Sequence, residues 1–151
     1  MSLREEIAAS LKQAMKDHDR QKLSALRLVN AAIKDRDIAN RGEGRPIADD
    51  GEILAILAKM IKQREESAKI YAGAGRAELA AAENREIEII AAFLPRQLDE
   101  AEIAAAVEKT LAETEAVSLR DMGKVMARLK ELYNGQMDFA KAGALVRRAL
   151  Q

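Results

Sequence analysis

The chain has 151 residues, of which 48% are hydrophobic, 33% charged and 3% aromatic, and its 25 Lys and Arg balance its 25 Asp and Glu. That length and apolar content suffice for a packed core, and zero net charge excludes a globally basic nucleic-acid binder but not a local basic face. The absence of Cys and the single His, His18, argue against disulfides, thiol nucleophiles, zinc sites and a Ser-His-Asp triad. No apolar run reaches the roughly 18 residues of a membrane span and the N-terminus lacks a signal-peptide core, so a cytoplasmic protein without a membrane partner is expected.

Ala, Leu, Glu, Lys and Arg dominate, and apolar residues recur at helical spacing without strand-like alternation. The fold class is therefore all-α, with helices expected near residues 3–16, 20–40, 50–72, 77–93, 100–114, 119–133 and 139–150. Ser2 with Glu5 forms a capping box for the first helix, and His18, between Asp17 and Asp19, reads as a turn residue. The second helix carries Arg20, Arg27, Lys34 and Arg41 at seven-residue steps, a basic line opposite Leu26, Leu28, Val29, Ala32 and Ile33. Asp37 is placed to pair with Lys34 or Arg41. The line serves equally as a solvated face or as a phosphate contact.

Gly42 to Pro46 read as a loop, and Asp49 with Glu52 repeats the capping pattern before the third helix. The turn Gly73-Ala74-Gly75 folds the third and fourth helices into a long hairpin. Ile53, Leu57, Met60, Arg64 and Tyr71 share one stripe, facing Leu79, Ile90 and Phe93, so Arg64 meets Glu83 or Glu86 across an apolar seam. A structural ion pair that fixes register is favoured there over a paired-carboxylate site. Pro95 ends the fourth helix and marks a boundary between a four-helix domain, 1–95, and a three-helix domain, 96–151.

Asp99 with Glu102 caps the fifth helix, and Ser118 and Asp138 are N-cap candidates for the last two. Residues 98–119 hold six acidic side chains and one Lys, whereas residues 120–151 hold seven basic against three acidic. On the sixth helix Leu119, Met122, Met126, Leu129 and Tyr133 are expected to be buried, with Arg120, Lys124 and Arg128 opposite. Gly123 and Ala127 form a small-residue groove, read as a place where a neighbouring helix approaches closely.

No phosphate loop, dinucleotide fingerprint or metal-ligand cluster is present, so no cofactor is expected, and composition favours a binding module over an enzyme. The strings LRLVNAAIKDRDI (Leu26 to Ile38), KMIKQREESAKIYAGAGRAELAAAENREIEIIAAFLPRQLDEAEI (Lys59 to Ile103) and MGKVMARLKELYNG (Met122 to Gly135) resemble the GatB/YqeY family nearly end to end. The resemblance implies a C-terminal domain like the tRNA-gripping tail of the B subunit of tRNA-dependent amidotransferase. It also implies tRNA as partner, together with a tRNA synthetase or amidotransferase, and a family label of carbon–nitrogen ligase with glutamine as amido-N-donor. Nothing in the residues supports such chemistry independently. Where that family reads Arg-Ala-Asp-Gly after Gly135, this chain has Gln136-Met137-Asp138-Phe139, which moves the expected phosphate contacts to Lys124, Arg128, Arg147 and Arg148. Arg27 and Lys34 are the corresponding candidates in the N-terminal part. A helical protein–protein adaptor that binds no RNA is the alternative.

Overall fold

The computed structural model describes residues 1–151 as seven α-helices without strands. They are α1 (Leu3–Lys16), α2 (Arg20–Gly42), α3 (Asp50–Gly73), α4 (Ala77–Ala91), α5 (Glu100–Glu113), α6 (Met122–Tyr133) and α7 (Phe139–Leu150), with a single 3-10 turn at Leu119–Asp121 before α6. Contacts group the chain into two compact units, Met1–Leu94 and Pro95–Gln151.

In the first unit Ile7, Val29, Ile33, Ile53, Leu57 and Ile90 are fully buried in one cluster, each contributing about 1.5–3 kcal/mol through burial. A second cluster joins Ala14, Ala25, Leu26 and Ile89. The buried face of α2 is Ala25, Leu26, Val29, Ile33 and Asn40. Leu28 does not belong to it and is 47% exposed, because it lies beyond the stripe that α1, α3 and α4 cover. His18 takes a left-handed φ of 52° in the α1–α2 turn.

A polar network fastens the α2–α3 loop. Arg4 Nη1 and Nη2 donate to the two carboxylate oxygens of Asp37 at 2.9 Å each, and Nη2 also donates to the Ala48 carbonyl at 2.9 Å. Asp37 Oδ1 accepts the Ala48 N–H at 2.8 Å. Asp37 thus pairs with Arg4 of α1, not with Lys34 or Arg41, because packing of α1 against α2 brings the Arg4 fork onto both carboxylate oxygens. The Arg4 hydrogen bonds, followed by the Ala48 amide, hold the Asp37 carboxyl below its usual range. Asp49 caps α3 by accepting from the Glu52 N–H, but Glu52 does not return the bond. Its carboxylate instead accepts from buried Asn40 at 2.9 Å and from Arg45 at 2.6 Å.

The α3–α4 hairpin turns at Gly75, whose φ of 74° only glycine adopts without strain. Arg64 Nε donates to Glu86 Oε2 at 2.7 Å, and Nη1 donates to the Met60 carbonyl at 3.1 Å. The antiparallel register thus selects Glu86 over Glu83. Helix α4 stops at Ala91, two residues before the expected end, as backbone turns at Phe93 and Leu94 prepare the approach to Pro95.

The second unit closes around Ile103, Val107, Val125, Leu129, Met137, Ala142 and Val146. Its start is tied to the α6–α7 turn. The Gln97 side-chain amide donates to the Gly135 carbonyl, and the Leu98 N–H donates to the Gln136 carbonyl at 2.8 Å. Arg96 forms two hydrogen bonds to Glu102, at 2.9 and 2.7 Å, which hold the Glu102 carboxyl at about 2 together with the Asp99 amide. Leu119 is 49% exposed, because its residues form the 3-10 turn and not the first turn of α6. Val125 occupies the buried position instead. A Cβ at Gly123 would meet nothing within 4 Å, so no helix approaches there. The close-lying glycine is Gly143 of α7, against Met126 and Met122.

Asp37→Asn should lower the melting temperature at neutral pH. Because the folded carboxyl titrates below the unfolded value of about 3.9, its contribution is present above that value and lost as pH falls through the folded one. The gap between variant and wild type should therefore close in thermal melts below about pH 4. Arg64→Ala should cost about 2–3 kcal/mol in urea unfolding by stranding Glu86, and most of that coupling should vanish in a Glu86→Gln background. Gly123→Ala, in an open helical position, should raise stability by about 0.5–1 kcal/mol.

Candidate functional site

Lys124 stands on the first turn of α6 and Arg128 one turn later, while Arg147 and Arg148 occupy the last turn of α7. Met126 and Met122 of α6 pack where Gly143, the fifth residue of α7, leaves room.

The electrostatic states of these cations differ. Arg128 is engaged: it donates to Glu113 of α5 at 3.1 Å and reaches Glu131 at 3.2 Å. Those two carboxylates, Glu113 first, raise its pKa further and compensate its charge. It braces α5 against α6, so a phosphate would have to compete with both carboxylates. Lys124 sits 4.0 Å from Asp121 and remains 54% exposed, a loose contact that a stronger anion can displace. Asp121 is committed elsewhere, since Oδ2 accepts the Val117 and Ser118 N–H groups at 2.8 and 3.2 Å. Those backbone bonds, ahead of Lys124 and Arg120, hold its carboxyl below the ordinary range. Arg147 and Arg148 are exposed and free of ion pairs, and they complement the negative end of the α7 dipole.

In the first unit Arg27 and Lys34 are both exposed on α2 without a carboxylate partner, and Arg20 and Arg41 continue the line. The expected basic ridge is therefore present on the surface, with Arg41 lending some positive potential to Asp37.

Two features escape a reading by charge. The bonds of Asp121 to the α5–α6 loop hold Val117 at 85% exposure and Leu119 at 49%, a fixed apolar tip on the surface. A shallow groove of about 480 Å³ between α5 and α7 is walled by Ile103, Ala104, Ala144 and Leu145, with Glu100 and Lys141 as its charged members. No group of three or more His, Asp or Glu is placed to hold a metal ion, and no helix is long and apolar enough to cross a membrane.

The chain is similar to a curated protein of Saccharomyces cerevisiae, "Altered inheritance of mitochondria protein 41, mitochondrial", at 32% identity over 88 residues in strain after strain. That stretch is 58% of this chain and 46% of the yeast protein, so the match spans about half the length of the curated relative. A family model described as Yqey-like protein matches residues 4–150, which takes in both units and every helix but the first residue of α1. The chain belongs to the Yqey-like protein family.

Proposed function

We propose that the protein is an accessory RNA-binding factor in aminoacyl-tRNA metabolism, whose C-terminal unit grips tRNA through phosphate contacts and performs no chemistry of its own. One observation carries this reading: Arg147 and Arg148 are exposed cations without acidic partners, adjacent on the last turn of α7 in a chain of zero net charge, and Lys124 of α6 is held only loosely by Asp121. Cations that fold stability does not consume remain available to an external anion. Family membership is consistent with it, because the amidotransferase tail that this part of the chain resembles is a tRNA-holding module. A helical surface with few aromatics suits recognition of folded RNA by backbone and shape, not stacking on unpaired bases. Arg128 is left out of the contact set, since its charge is already compensated by Glu113 and Glu131.

A protein-adaptor reading rests on the fixed apolar tip of Val117 and Leu119 and on the α5–α7 groove. Salt separates the two, since phosphate contacts release counterions and an apolar interface does not.

With deacylated tRNA, three phosphate contacts should give a log-log salt slope of about −2 to −3. Lys124→Ala/Arg147→Ala/Arg148→Ala should weaken binding by about tenfold or more at low salt and flatten that slope, whereas Arg128→Ala should act mainly on stability. Binding that is absent at low salt, or that the triple variant leaves unchanged, would replace the RNA reading with the adaptor.

A further inference from the structure

On α2, Arg20, Leu23, Ser24, Arg27 and Leu28 line a surface concavity of about 330 Å³. Arg20 and Arg27 lie seven residues apart, nearly in line along the helix and about 10.5 Å apart in rise, within reach of a common point between them. Ser24 stands between, four residues after Arg20 and three before Arg27, so its hydroxyl shares that face. Neither guanidinium has an ion-pair partner, and both residues are exposed. Two uncompensated positive charges on one short stretch of helix repel each other, and nothing within the fold neutralises them.

We propose that this concavity is a phosphate-binding site, with Arg20 and Arg27 closing on one phosphate group and the Ser24 hydroxyl donating a third contact. The chemistry selects phosphate over carboxylate. Two planar guanidinium forks and a hydroxyl supply more donors than a two-oxygen carboxylate accepts in one plane, whereas a tetrahedral phosphate presents oxygens in several directions. Leu23 and Leu28 form the apolar part of its lining. The site belongs to the first unit and does not depend on the tail reading. Its phosphate is either that of an RNA backbone or that of a free phosphate ester.

The test uses the full chain labelled with 15N at arginine and inorganic phosphate titrated at constant ionic strength. The Nε–H signals of Arg20 and Arg27 should shift together and saturate, while Arg41 on the same helix stays still. Arg27→Gln should remove the saturable shift of Arg20. Equal and unsaturating shifts at Arg20, Arg27 and Arg41, or an Arg20 response indifferent to Arg27→Gln, would overturn the proposal. A tRNA arm identifies the source. If Arg20→Gln/Arg27→Gln lowers tRNA affinity about fivefold and reduces the salt slope by about 1, the phosphate is a backbone one. Unchanged tRNA binding beside a saturable phosphate response assigns the site to a small phosphate ester. Loss of tRNA binding in the tail variants, or its absence altogether, bears on the tail alone, because the phosphate titration reads α2 directly.

Discussion

The Arg4–Asp37 pair is the interaction on which the first unit depends. It joins α1 to α2, and through the Ala48 carbonyl and amide it fixes the loop that delivers the chain into α3. Without it the segment from Glu43 to Asp49 would have neither regular structure nor a polar anchor deep enough to set the entry angle of α3. Asn40 and Glu52 support the same junction: a buried amide in line with Leu26 and Ile33 would be costly unless it were bonded, and Glu52 bonds it. The position of α3 then decides where Arg64 meets Glu86, and so the register of the hairpin.

The second unit solves the same problem with neutral groups. A small three-helix module has little core to spare, and its entering segment is held by Gln97 and Leu98 bonding to consecutive carbonyls of the α6–α7 turn. Gly135, at φ 79°, shapes that turn so that its carbonyl and the next one both point at the entering chain. The Leu-Pro-x-Gln-Leu sequence and the Asn-Gly pair, which stand 38 residues apart, are therefore two halves of one clasp.

Much of this is legible in the sequence where the physics is local. Helix positions follow from spacing and caps, the capping boxes at Ser2 and Asp99 from side chains three residues apart, and an Arg64 ion pair with Glu83 or Glu86 from a hairpin whose tip is marked by glycine, the fold choosing Glu86. The failures are long-range. Asp37 has basic neighbours at helical spacing, and only the fold shows that Arg4 outbids them. Arg128 looks like a free cation on a helical wheel, which contains no α5 to supply Glu113. Gly123 looks like a contact point because small residues permit approach, yet permission is not occupancy. On α6 the miss is local: Val125, three residues after Met122 and four before Leu129, shares the buried face by ordinary helical spacing, while Leu119 falls in the 3-10 turn outside it.

The α6–α7 seam has a consequence for how the molecule ages. The chain contains no Cys, so oxidants that attack sulfur find only its 6 Met. Two of them, Met122 and Met126, are only partly buried and carry their terminal methyl groups into the space that Gly143 vacates. A sulfoxide on either would set a polar, chiral oxygen into that fit and push apart the helices that bear Lys124 and Arg147. Redox damage would then be felt first as a loosening of the α6–α7 seam, before the core around Val125, Leu129 and Val146 gives way.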